Sequence, residues 1–499
     1  MAPTIDWRGW TEAAFGAAST ENKPILLSIV TAWSDECSAM EATTYAQPDV
    51  VAMVGGRFIP VRVDADRRPD VNERYNLGGW PTTAVLTPEG HVLNGGTYFG
   101  RDGLIALLSQ AADSWRDRAD DIRARVRVTI PATVAPDSQP DGNAVGWFRS
   151  LLIDEFDLLH GGFGTAAKYP HGRALEFAIA MADEESDEQL RRIAESTLDG
   201  IGALWDPDHG GFYRYAERSD WSRPGTEKTL EDNAALLNLY LDAAVRLRSD
   251  QYQNRAGELV RWIKTALADQ AHGGFYNGQA AVSRELDRSM YVDRNADMVA
   301  AFLRAADIFQ DPWLRDYALK SFEAVVVPGY KPGGGVAHER AGPGVAGPAD
   351  APPARGLLGD QVRVALAVTW AHVVTGQLPY SMLALELVQF AVRTMWDAPA
   401  KTFRDRASET VVPLGLLAEP VRPFAVNCDA ACVLDRLATM TGDAAHRDRA
   451  LAILGSLAGE YQAHGLFGAP YALAVREVVE RRPPLGLNLS RVEWNLEQD

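Results

Sequence analysis

Two kinds of apolar pattern alternate along most of the chain. Residues 234–245, AALLNLYLDAAV, are apolar nearly all round, as in a helix buried on every side. In the next stretch Ala256, Leu259, Val260, Ile263, Ala266 and Leu267 share one face with charges opposite, the pattern of a helix covered on one side only. The spacing predicts about twelve helical segments: 143–160, 172–184, 187–205, 231–247, 252–268, 294–310, 312–326, 360–376, 378–396, 428–441, 443–463 and 469–480. Buried and half-buried helices in turn predict an inner ring wrapped by an outer one. Before residue 128 the pattern differs. An apolar strand over 23–30 precedes helices from about Cys37 and Pro48; strands at 58–64 and Thr82–Leu86 follow, then a long amphipathic helix from Asp102. Strands alternating with helices predict a small α/β sheet. Between them TIPATVAPDSQPDG, residues 129–142, is rich in Pro, Asp and Gly without a period, the composition of a linker. The expected division is therefore an α/β domain over 1–128, a linker over 129–142 and an all-α domain over 143–499.

Charge narrows the partners. The 499 residues hold 49 Lys plus Arg against 67 Asp plus Glu, a net −18, which repels phosphate backbones and anionic lipid. Neither nucleic acid nor membrane is expected as a partner. MAPTIDWRGW lacks the basic flank and apolar stretch of a secretion signal, and three cysteines form no disulfide framework, so a cytoplasmic location is expected.

A repeat reinforces the ring. LLHGGFG (158–164), PDHGGFY (207–213) and QAHGGFY (270–276) share His-Gly-Gly-Phe, with a weaker echo, AHGLFG, at 463–468. Each falls between one helix and the next, so His160, His209 and His272 read as loop residues and Phe163, Phe212 and Phe275 as core cover. Cys428 and Cys432 stand one turn apart with no partner in the sequence nearby and read as packed thiols. Neither a metal nor a cofactor is expected. Residues 327–356, rich in Gly, Pro and Ala, form either a lid or a tolerated insertion.

The motifs NKPILLSIV, VDADRRPDV, GGWPTTAVLTPEG and GGTYFG resemble the thioredoxin-like domain of unknown function 255 of the spermatogenesis-associated protein 20 / YyaL-like family. The later helices resemble the (α/α)6 barrel of six-hairpin glycosidases and N-acylglucosamine 2-epimerases, which that family joins to its thioredoxin domain. The resemblance implies a Cys-x-x-Cys-His turn at SIVTAWSDECSAME. Here Ser34 stands at the first cysteine, Cys37 at the second and Ser38 at the histidine, so the redox motif is broken. A thioredoxin turn uses its first cysteine as the attacking thiolate at a helix N-terminus, and only the resolving position is left. Asp35 and Glu36 disfavour a thiolate at Cys37 further, and Ser34 fits a helix cap. Trp80-Pro81, before the third strand, is expected to be a cis bond facing this turn. Where relatives read Pro-His-Phe-Glu-Lys-Met-Leu-Tyr-Asp-Asn, this chain has Gly225 for the histidine and Glu231 for the tyrosine.

Such a barrel implies a pocket at the starts of its inner helices. The residues standing there are Glu227, Asp232, Asp293, Asp360 and His171 as candidates for catalysis, with Lys168, Tyr169, Lys228, Asn233, Tyr291, Arg294, Asn295 and His338 as candidates for binding. Asp or Asn before an apolar helix is first of all a cap. If the openings converge, the pocket holds a small polar ligand, expected to be a carbohydrate. Two carboxylates would suit glycoside cleavage, whereas histidines such as His171 and His338 would suit proton transfer in an epimerase. Two other readings stand: thiol exchange or capture of a protein client through Cys37 alone, and a catalytically silent scaffold.

Overall fold

The computed structural model describes residues 4–126, 138–225, 227–280, 284–340, 354–407 and 413–484. Contacts divide the chain into two units, Met1–Ala132 with Ala341–Arg355 and Ser408–Val421, and Thr133–Arg340 with Gly356–Ala407 and Arg422–Asp499. Of the expected lid, 327–356, residues 341–353 lie outside the described residues, while 327–340 belong to the second unit.

The first unit is a four-stranded sheet with helices on both faces. Its elements are α1 (Glu12–Glu21), β1 (Ile25–Val30), α2 (Asp35–Met40), α3 (Pro48–Arg57), β2 (Ile59–Asp64), α4 (Pro69–Tyr75), β3 (Thr82–Leu86), β4 (Val92–Gly96) and α5 (Arg101–Val126). Strand order is β2-β1-β3-β4, with β1 and β2 parallel and the other pairs antiparallel. Alternation along the strands sends Leu27, Ile29, Val61 and Val63 against Trp10, Phe15 and Tyr75, and Leu26 and Val85 against Met40, Val50, Val54 and Leu104. Later sequence returns to this core, because Leu417 is buried in it with Leu414 and Leu416 packed beside it. The Tyr75 hydroxyl donates to the Gly90 carbonyl at 2.7 Å and accepts from the Leu416 N–H at 2.8 Å. Gly90 has to be glycine: its φ is +92°, and a Cβ there would lie 2.5 Å from Gly415 Cα. The expected all-α domain over 143–499 is thus interrupted near residue 415, by leucines that bury themselves in the first unit's sheet.

The second unit is an (α/α)6 barrel. Its helices are α6 (Ala144–Glu155), α7 (Gly172–Glu184), α8 (Glu188–Ile201), α9 (Leu230–Arg246), α10 (Asp250–Trp262), α11 (Val292–Phe309), α12 (Pro312–Val325), α13 (Leu358–Thr375), α14 (Leu378–Thr394), α15 (Phe424–Thr441), α16 (Ala444–Leu457) and α17 (Ala469–Ala474). The inner ring runs α7, α9, α11, α13, α15, α17, each packed on the next, and α17 closes on α7. The nearly all-apolar α9 is inner and the one-faced α10 outer, as the pattern of apolar positions predicts. No helix among the described residues is long and apolar enough to cross a membrane.

Candidate functional site

In the first unit the residues of the turn are packed and hydrogen-bonded. Ser34 caps α2, its Oγ accepting from the Cys37 N–H at 3.3 Å, and both residues are buried. Burial pushes the Cys37 thiol up, and the hydrogen bonds to Ser34 and Thr31 offset this only in part. Trp80-Pro81 is cis. The Trp33 and Trp80 rings meet edge to face at 5.6 Å, each held by its indole N–H, Trp33 on Asp66 at 2.7 Å and Trp80 on Asn72 at 3.0 Å.

In the barrel, a polar side chain in the first turn of an inner helix clamps the loop before it. Asn233 Oδ1 accepts from the Phe212 N–H at 2.9 Å, while Nδ2 donates to the carbonyls of Phe212 and Thr229. Asn295 does the same for Phe275 and Tyr291, Asn427 for Phe403 and Pro423, and Gln361 for Val336 and Leu357. Both amide protons of Asn233 and Asn295 are thus committed to backbone, and these two residues, expected to bind a ligand, are loop braces. Lys168 and Lys228 are braces too. Lys168 Nζ donates to Asp157 at 2.8 Å and the Gly164 carbonyl at 2.6 Å; Lys228 Nζ donates to Asp206 and the Gly210 carbonyl, both at 2.6 Å. Asp157, Asp206 and Asp269 each open a His-Gly-Gly-Phe loop by accepting two backbone N–H groups, so a buried lysine neutralises two of these three aspartates. His160, His209 and His272 sit in these loops, each near its own loop aspartate.

The other predicted residues fall into two groups at helix starts. In the first, Tyr169 donates to Asp232 Oδ1 at 3.3 Å and Arg214 Nε to Oδ2 at 2.9 Å. His171 lies beside them, with the Tyr169 ring at 5.6 Å, Phe163 at 6.0 Å and the exposed Phe467 at 5.3 Å; burial pulls its imidazole down to about 4. In the second, His338 Nδ1 is 2.8 Å from Asp360 Oδ1, and the Tyr291 ring stacks on the imidazole at 5.1 Å. Asp293 joins them, with one ligand atom from each of the three acidic or imidazole side chains within 4.8 Å of the others. Burial raises the Asp360 carboxyl, with His338 opposing. Arg294 turns away, over the Tyr291 ring and toward Asn277 and Glu231, and Glu227 sits on the short strand Glu227–Thr229.

A further space opens between the inner helices, and other residues line it. It is a cavity of about 340 Å³, walled by the six inner helices and bearing five arginines and six carboxylates. Arg173 bridges Glu176 at 2.7 Å and Asp429 at 2.9 Å, and Arg363 reaches Asp429 at 3.4 Å and Asp297 at 3.7 Å. Arg304 pairs with Asp242 and donates to Asn238 at 2.7 Å above the Trp370 ring, and Arg436 pairs with Glu477 at 2.6 Å. Burial raises the Asp297 carboxyl to about 6, against the pull of Arg363, with like charge from Asp293, Glu231 and Asp429 adding to it. Glu176 is raised for the same first reason, with Arg173 opposing. The sequence carried a signal for this wall: Glu231 and Asn238, Asp297 and Arg304, Arg363 and Trp370, and Asp429 and Arg436 are each seven residues apart, two turns on one face of otherwise apolar helices.

Comparison with known proteins agrees with this architecture. Residues 1–132 match the family model described as Thioredox_DsbH, protein of unknown function, DUF255. The chain is 29% identical over 307 residues to the uncharacterized protein B0495.5 of Caenorhabditis elegans, covering 56% of this chain and 42% of that one. It is 28% identical over 308 residues to human spermatogenesis-associated protein 20, covering 56% and 39%. The match therefore spans about two fifths of the length of these relatives. Among solved structures the barrel is similar to a D-mannose isomerase (TM-score 0.54, 13% identity, 63% of this chain and 84% of that one). It is also similar to cellobiose 2-epimerase from Bacillus thermoamylovorans B4167 (0.53, 11%, 62% and 85%) and to a GH76 α-mannanase from Bacteroides thetaiotaomicron (0.51, 9%, 68% and 96%). At these identities the likeness is one of fold. Residues 1–132 thus match the thioredoxin-like DUF255 family model, in a chain similar to spermatogenesis-associated protein 20 whose second unit has an (α/α)6 fold like that of carbohydrate epimerases and glycoside hydrolases.

Proposed function

We propose that the barrel binds and transforms a small carbohydrate in the cavity between its inner helices. The observation that carries this reading is the cavity wall, where arginines and carboxylates alternate around about 340 Å³ of open space. A sugar presents donors and acceptors together, which such a wall can match, and its apolar face suits the Trp370 ring, which lines the cavity. The isomerase, epimerase and mannanase barrels of like fold support it.

The chemistry we infer is that of carboxylates. Among the described residues no histidine lines the cavity, which weighs against proton transfer by paired imidazoles. Asp297, raised to about 6, holds a proton part of the time near neutrality, while Asp429 is clamped by Arg173 and Arg363. Two carboxyl groups in unlike environments are what glycoside cleavage divides into acid and base. One guanidinium contacts both, which keeps their oxygens within ~10 Å, compatible with the roughly 5–9.5 Å of glycosidase pairs. For the first unit we infer no dithiol exchange. A monothiol role needs an accessible thiolate, whereas Cys37 is 7% exposed and pushed up by burial. Calorimetric titration of the full chain with mono- and disaccharides tests the reading. Heat saturating at one sugar per chain supports it, and a panel without binders leaves the barrel as a scaffold.

A further inference from the structure

We propose that Asp293, His338 and Asp360 form a site for one divalent transition-metal cation of the manganese or zinc class, at the starts of α11 and α13. The inference goes beyond the carbohydrate reading and does not rest on it.

Three observations meet at this place. One ligand atom from each side chain lies within 4.8 Å of the other two, and the tightest pair, His338 Nδ1 and Asp360 Oδ1, is 2.8 Å apart. Two atoms bound to one cation at ~2.1 Å and near right angles are ~3 Å apart, so that spacing suits neighbouring ligands as well as it suits a hydrogen bond. Next, Asp360 is 1% exposed and its Oδ2 has no hydrogen-bond partner. A buried carboxylate oxygen left without a donor is costly, and a cation satisfies it without a proton. Third, two carboxylates stand together here, and among the described residues neither has a lysine or arginine in an ion pair.

The donor set fixes the class of ion. Two carboxylates with one imidazole suit manganese or zinc better than calcium or magnesium, which take oxygen ligands alone. Tyr291, stacked on His338 at 5.1 Å, fixes the plane of the imidazole. Asp293 is half-buried, so the group is open on that side, where further positions on the cation would take water or a hydroxyl.

The test uses the full chain, stripped with a chelator, with free Mn²⁺ followed by electron paramagnetic resonance and Zn²⁺ by calorimetry. The expected result is one equivalent bound, with affinity reduced at least roughly tenfold in both Asp293→Asn and Asp360→Asn. Circular dichroism checks that each variant is folded. Should the buried Asp360→Asn misfold, the half-buried Asp293→Asn carries the test alone. Binding of equal strength in a folded Asp293→Asn variant, or a free Mn²⁺ signal that the protein does not diminish, overturns the proposal. Because no sugar enters the measurement, its failure leaves the carbohydrate reading standing.

Discussion

The Ser34–Cys37 turn and the interior of the barrel have opposite characters. At the turn every group has a structural use: Ser34 caps a helix, Cys37 is packed, and the tryptophans beside it spend their N–H groups on Asp66 and Asn72. Inside the barrel charged side chains crowd a space that apolar ones could fill. Replacing buried ion pairs by well-packed apolar residues is often neutral or stabilising, so eleven charged groups around one cavity are poorly explained by stability alone. The contrast shows where to look: a turn whose polar groups serve the fold is a poorer candidate for function than a region carrying charge that stability does not need.

The largest expected effect lies with the clamps, which separate scaffold from site inside the barrel itself. Asn233→Ala leaves the Phe212 N–H and two carbonyls buried without their partner, and should lower stability by about 3 kcal/mol in chemical denaturation. A loss below about 1 kcal/mol would return Asn233 to the list of ligand-binding residues.

Next in size is a pH effect at Asp297, which faces Arg363 on α13, Asp429 on α15, Glu231 on α9 and Asp293 on its own helix. Below about pH 4 the folded and unfolded chains both carry the proton, and the group contributes nothing. As pH rises from there through about 6 the folded chain comes to bear a charge that burial disfavours, so stability falls. Asp297→Asn removes that penalty. It should exceed the wild type by about 1 kcal/mol at pH 8, a figure discounted for its 31% exposed side chain, with the gap closing toward pH 4. Parallel denaturation curves at both pH values check the sign.

The smallest effect sharpens the other side. Ser34→Ala should cost about 0.5–1 kcal/mol, as the loss of a helix cap does. Native Cys37 should alkylate slowly at pH 7 and fast once unfolded. Rapid native alkylation would restore a thiol role to the turn.

Much of this architecture is legible in the sequence, for physical reasons that also explain the gaps. Helices such as 234–245 and 252–268 declare themselves because burial on all sides and burial on one side leave different patterns. The SIVTAWSDEC turn reads true because a strand, a cap and a missing cysteine are all local. The excursion of Leu414, Leu416 and Leu417 into the first unit is not local, and a few leucines do not say which core they join. At the site, the polar residues at helix starts attract notice, yet Asn233, Asn295, Lys168 and Lys228 are there to hold loops. The cavity wall is built from residues such as Asp297, Arg304, Asp429 and Arg436, whose seven-residue spacing has meaning only once it is known which helix face looks inward.

A sugar site in the cavity is tested by calorimetric titration of one sugar, chosen from a panel, into the wild type, Arg363→Leu and Asp429→Asn. Arg363 and Asp429 line the cavity, and neither braces a His-Gly-Gly-Phe loop. The wild type should bind one equivalent, and each variant, still folded, should bind at least roughly tenfold more weakly, as expected when a buried polar contact to a ligand is removed. A sugar that binds all three proteins alike would place the ligand elsewhere and contradict a site in the cavity.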